Sequence, residues 1–196
     1  MKKHSIYLLA GIAALVFSSC IKQIDKTFQG ATVVEVDATP LNSVATGQTY
    51  PILTRIARHG IPVATADSTL RRLNGTVRIR LNLVGHQTGA DQTIGYKLFS
   101  TPIATIAFPA TATGQTPSRV AATLAVSNGV AGTHFTALSG LCTIPANSSF
   151  GYIDVAILDP GATAGQARFL GIQLDSTGSL KPNPNYNKLG LVIDQR

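Results

Sequence analysis

Residues 76–84 read TVRIRLNLV. Val77, Ile79, Leu81 and Leu83 alternate with Arg78, Arg80 and Asn82. This is the period-two pattern of a strand with one face in a core and the other in water. The asymmetry fixes the register, because a one-residue slip would turn the aliphatic set outward. The same alternation recurs along the chain at Val34 and Val36; Ile94, Tyr96 and Leu98; and Val120, Ala122, Leu124 and Val126. It continues at Ile153, Val155 and Ile157; Leu170, Ile172 and Leu174; and Leu189, Leu191 and Ile193. Weaker strand signals lie at 50–57, 103–108 and 141–144. Asn74-Gly75 and Asn128-Gly129 predict tight turns, since both residue types accept a positive φ. Pro62, Pro109, Pro117, Pro145, Pro160, Pro182 and Pro184 mostly fall between the runs, where a missing N–H costs nothing.

Residues 53–73 tolerate a helix, but Gly60 and Pro62 interrupt it. Short strands, frequent turns and no intervening helices predict an all-β fold, an Ig-like antiparallel β-sandwich of about eight strands. The composition agrees. The chain has 196 residues, enough for one domain with a real core. It is 44% hydrophobic and only 13% charged, which excludes an intrinsically disordered chain. Two cysteines exclude a disulfide scaffold or a multi-cysteine zinc module.

Residues 1–20 read MKKHSIYLLAGIAALVFSSC. Lys2 and Lys3 form a positive start, and Ile6 to Phe17 an apolar run too short to span a bilayer but suited to a signal peptide. Ser18, Ser19 and Cys20 follow, and this ending resembles a bacterial lipoprotein signal whose cysteine is lipidated and becomes the first mature residue. Phe17 departs from that pattern, in which Leu is usual. An ordinary secretory signal that happens to end near a cysteine is the alternative. The expected organisation is a signal peptide over 1–19, lipidated Cys20 and a tether over 20–30, and one β-sandwich domain over 31–196. Several acyl chains on Cys20 would hold the protein to a membrane without a spanning helix. Cys142 would then be the only free thiol.

Residues 129–159 read GVAGTHFTALSGLCTIPANSSFGYIDVAILD. The element Ala131-Gly132-Thr133-His134-Phe135, the segment Ile144-Pro145-Ala146-Asn147 and the long alternating strand after it resemble the Calx-beta-like domains of Bacteroidota surface lipoproteins. FLGIQLDSTGSLKPNPNYNKLGLVID at 169–194 and RLNLVGHQTGADQTIGYKL at 80–98 resemble other parts of the same domains. The likeness covers about 120 of the 177 residues that follow the signal. It implies the sandwich, a place beside starch-utilisation-type outer-membrane uptake systems, and no particular activity, because its motifs are turn and strand devices. Gly132 to Phe135 would turn the chain and plug Phe135 into the core. Calx-beta domains that bind calcium use clustered carboxylates. Here only Glu35 and Asp37 are close in sequence, and no calcium site or other cofactor is expected.

The chemistry-bearing residues are scattered. His59, His86 and His134 stand alone in their segments, without the spacing of a metal site. No G-x-S-x-G motif is present, and Cys142 lies in an apolar strand. Asp154 on a strand and Asp159 at its end are a conceivable glycosidase pair, but sequence-distant loop carboxylates would look no different. No catalytic residue and no enzymatic activity are expected. Asp67-Ser68-Thr69 and Asp175-Ser176-Thr177 resemble a Bacteroidota O-glycosylation motif, and are equally plain turn signals.

The formal charge of +7 becomes +5 once Lys2 and Lys3 leave with the signal. Six arginines, Arg55, Arg58, Arg71, Arg72, Arg78 and Arg80, fall between 55 and 80. Arg71, Arg72, Arg78 and Arg80 make a candidate patch for an anionic partner, with a solvated sheet face as the alternative. Nucleic acid does not fit an exported protein without aromatic interleaving. Tyr50, Tyr96, Phe99, Phe108, Tyr152 and Tyr186 are candidate glycan platforms, although Trp is absent. The expected function is a non-enzymatic envelope lipoprotein. It would serve as an adhesion, glycan-binding or accessory component at the outer membrane, on the cell surface or its periplasmic side. The alternative is a structural subunit of a surface layer or fibre assembling by edge-strand pairing.

Overall fold

The computed structural model describes residues 28–37 and 47–196, and these form an all-β sandwich of two sheets. The expected signal peptide, Cys20 and most of the tether lie outside the described residues. The first sheet holds β1 (Val33–Val36), β3 (Thr76–Val84), β8 (Phe150–Ala156) and the short β10 (Lys181–Pro182), in the order β10-β1-β3-β8. The second runs β2 (Ile52–Leu53), β11 (Lys188–Asp194), β9 (Gln166–Asp175), β4 (Gln92–Phe99) and β7 (Leu141–Ile144). A hairpin of β5 (Thr105–Phe108) and β6 (Ala122–Asn128) joins this sheet by pairing β6 parallel to β9. The described residues hold eleven strands against about eight expected: the seven alternating runs and the three weak signals all carry strands, and the two-residue β10 is added.

The main core is what the alternation dictates. Val77, Ile79, Leu81, Leu83, Ile153 and Val155 of the first sheet meet Ile94, Leu170, Ile172, Leu174, Leu189 and Leu191 of the second. Phe135 is 1% exposed, and Gly132 at φ 79° makes the turn that delivers it. Removing side chains of this size from a packed core costs about 2–5 kcal/mol each.

A second, smaller core lies on the outer face of the second sheet. The β5–β6 hairpin lays Phe108 and Leu124 over Ile52, Ala167, Phe169 and Val192. This explains why β9 buries Phe169, Leu170, Gly171 and Ile172 in succession and why β11 is buried on both faces.

Three expectations are corrected. Val120 precedes β6 and is 79% exposed, so it is no part of that strand's apolar face. Leu98 pairs with Ile172 but is 44% exposed where the sheet divides. Asn128-Gly129 is not a tight turn: Asn128 ends β6, its side chain accepts from the Thr101 amide, and the Gly129 amide continues to the Phe169 carbonyl at 2.7 Å.

β8 is the end strand of its sheet, and its outer edge is partly closed. The Cys142 thiol donates to the Tyr152 carbonyl at 3.3 Å, and the Thr136 amide to the Ala156 carbonyl at 2.9 Å. On the outer face of β3 and β8, Arg78, Phe150, Tyr152 and Asp154 are exposed.

Candidate functional site

Burying the odd-numbered residues of β3 turns Arg78, Arg80 and Asn82 outward. The antiparallel register sets Asp154 opposite Arg78, Tyr152 opposite Arg80 and Phe150 opposite Asn82. These cross-strand rows are the contact unit of a sheet surface. Asp154 accepts from Arg78 Nε at 2.6 Å and from Nη2 at 2.8 Å, a two-pronged charge-assisted pair. Those bonds hold the Asp154 carboxyl below its ordinary range. The Arg78 guanidinium also lies 5.0 Å from the Tyr152 ring centre, and that of Arg80 lies 4.8 Å from Phe150. Tyr152 is 42% exposed and Phe150 41%.

The segment after β2 closes one side of this face. Asp37, at the end of β1, takes Arg80 Nη2 at 2.9 Å and the Gly60 amide at 3.0 Å on the same oxygen. That places the His59 ring 5.5 Å from Tyr152. Burial, and then the nearby Arg80 charge, push the His59 pKa down. A cavity of about 20 Å³ lies beneath, between Asp37, His59 and Arg80 and an apolar floor of Val36, Val77 and Leu189. It has room for one water molecule. Arg80 Nε and Asn82 Oδ1 are buried with no hydrogen-bond partner among the described residues.

The four arginines of the expected anionic patch are not one open cationic surface. Arg78 and Arg80 share the β3–β8 face, each with a carboxylate. Arg72 is bonded to Asp159, beyond the end of β8. Arg71 is 4% exposed and donates to the carbonyls of Thr116 and Pro117 at 2.7 Å each. Of the others, Arg58 bridges to Asp67 at 2.7 Å, and Arg55 donates to the Asp67 and Ala110 carbonyls at 2.5 and 3.3 Å. The long-range pairing of these charges leaves no local mark in the sequence, so the arginine run reads there as a patch.

Asp154 and Asp159, the candidate acid pair, are each held in the ionised form by an arginine. A general acid requires the opposite shift. Burial pushes the Cys142 thiol up to about 11, which keeps it protonated and unreactive at neutral pH. His134 serves the turn before Phe135: its Nδ1 accepts from the Val130 amide at 3.0 Å, and Arg168 Nε stands 3.0 Å from Nε2. Among the described residues no group of three or more His, Cys, Asp or Glu side chains is placed to hold a metal ion. A wider groove of about 470 Å³ runs between Thr54–Thr65 and Ala107–Ala121, but its one charged group, Arg55, is already bonded to carbonyls.

The fold is similar to that of the apo-form Calx CBD1 domain, at 10% identity over 85% of this chain and 100% of that domain, with a TM-score of 0.45. It is also similar to CBD12 from CALX1.2, at 12% identity, 64% of this chain, 41% of that one and a TM-score of 0.41. A third likeness is to the calcium binding domain CBD12 of CALX1.1, at 14% identity, 63% of this chain, 40% of that one and a TM-score of 0.39. No family model matches the chain. No curated protein matches it.

Proposed function

We propose that this chain is a Bacteroidota-type envelope lipoprotein, anchored to the outer membrane through Cys20. It contacts a glycan or a partner protein of an outer-membrane assembly, without catalysis, through the outer face of β3 and β8. The observation that carries this reading is the exposed pair Phe150 and Tyr152, set beside the Arg78–Asp154 bridge on the open face of the sheet. Exposed aromatic rings next to fixed polar groups are the composition of contact surfaces. The signal-like residues 1–20 support the envelope location. The clamped carboxylates and the protonated thiol support a role without chemistry.

The test is co-purification from detergent-solubilised outer membranes together with glycan-array binding, for the native chain and for a Phe150→Ala, Tyr152→Ala variant. A ligand or partner retained by the native chain and lost from the variant supports the reading. Absence of both from the native chain sinks it. Radiolabelled palmitate should enter the native chain and not Cys20→Ser. Protease shaving of intact cells tells surface from periplasm. The strand-pairing alternative is less favoured by the sheet edges: β2 and β10 are two residues long, β10 ends in Pro182, and β8 is partly closed.

A further inference from the structure

We infer that the outer face of β3 and β8 takes an uncharged, hydroxyl-rich ligand, a neutral saccharide, rather than an anion. The inference rests on the contact reading above and names the ligand class of that same face.

Charge comes first. Both outward arginines are neutralised on the spot, Arg78 by Asp154 and Arg80 by Asp37. An anionic ligand would have to displace a carboxylate held by two hydrogen bonds, or approach with that carboxylate still in place. A hydroxyl group meets neither obstacle, because it both donates and accepts. The Arg78–Asp154 pair offers guanidinium donors and carboxylate lone pairs side by side. Neighbouring hydroxyls of a sugar ring match that arrangement.

The second is the apolar component. Phe150 and Tyr152 stand at alternate positions of β8, each close to two-fifths exposed. One face of each ring is taken by a guanidinium, Tyr152 by Arg78 and Phe150 by Arg80, so a sugar's C–H surface meets the exposed remainder of the rings while the polar rows on either side hold its hydroxyls.

The experiment uses the full-length, detergent-solubilised chain. Neutral gluco-, manno- and xylo-oligosaccharides are titrated beside polygalacturonate and dextran sulfate, each at low and high salt. The expected result is binding of a neutral oligosaccharide that salt barely alters. Tyr152→Ala and Asp154→Asn should each weaken it by roughly tenfold or more, equivalent to about 1.4 kcal/mol. If Asp154→Asn lowers the unfolding midpoint, Arg78→Gln repeats the test from the other partner. Binding of only the acidic polymers, weakened by salt and tightened in Asp154→Asn, overturns the inference and leaves the contact reading standing. Capture of a membrane protein with no saccharide bound also overturns it, and leaves only the partner-protein form of that reading. Neither saccharide nor partner overturns both.

Discussion

A Cβ atom on Gly190 would lie 2.6 Å from Cε2 of Phe169, closer than real Cβ contacts come. Gly190 pairs with Gly171 across β11 and β9, and the Phe169 ring covers both backbones. The absence of side chains at the two glycines is therefore what admits the ring, and the ring is a main component of the second core. Gly190→Ala should destabilise the fold by about 1–3 kcal/mol through overpacking. Gly89 has nothing within 4 Å of its would-be Cβ. Gly89→Ala should then stay within about 0.5 kcal/mol of the native chain. Urea unfolding of both variants checks the contrast, and equal midpoints would contradict it.

The same region shows how far the sequence can be read. β3 and β8 are legible because each has one buried face, so aliphatic and polar residues alternate. β9 over 169–172 and β11 are buried on both faces, and their unbroken apolar runs, FLGI and LGLVI, are the corresponding mark. Reading them as simple alternation misses the hairpin that must cover the outer face. The candidate site is legible only in half. The outward direction of Arg78 and Arg80 follows from the period of two. Their neutralisation does not, because Asp154 lies 76 positions from Arg78 and the pairing is set by sheet order. Asp37 and His59 join the site through a loop closure that no local pattern announces.

His134 should make stability depend on pH. Both of its ring nitrogens face N–H donors, the Val130 amide and Arg168 Nε, so an added proton finds no acceptor. Burial first, and the Arg168 charge second, lower its pKa from the ordinary 6.5. The unfolded chain then binds the proton more readily than the folded one. Stability is full above pH 6.5 and falls as pH drops below it toward the folded pKa. His59 shifts in the same direction and adds to the slope. The depressed carboxylates of Asp154, Asp159 and Asp175 act lower, below their ordinary 3.8. Urea midpoints measured from pH 7.5 to pH 5 should decline, and less steeply in His134→Asn. An unchanged slope in that variant would rule this origin out.

Cys142 should report unfolding rather than surface chemistry. Its thiol is 2% exposed as a residue, bonded to the Tyr152 carbonyl, and pushed up to about 11. Thiolate is the reactive form, so at pH 8 a disulfide reagent should label native protein carrying Cys20→Ser far more slowly than the urea-unfolded chain. The rate should follow urea through the unfolding transition. Fast labelling of the native chain would mean that β7 does not shield the thiol.

Asp37 and Asp154 offer the sharpest comparison, because each pairs with an outward arginine of the same strand. Asp154 and Arg78 have side chains 47% and 54% exposed, and water screens them. Exposed bridges of this kind contribute little to stability. Asp37 and Arg80 are 7% and 16% exposed, and the same Asp37 oxygen also fixes the Gly60 amide. Removing Asp37 leaves a largely buried guanidinium and a backbone N–H without their acceptor, which costs about 3 kcal/mol. Asp37→Ala should therefore lower the unfolding midpoint sharply and expose the segment around Gly60 to amide exchange. Asp154→Ala should leave both nearly unchanged. The ordering, rather than either value, is the test: a larger loss at Asp154 would mean that the outer bridge, and not the closure over Arg80, holds this face together.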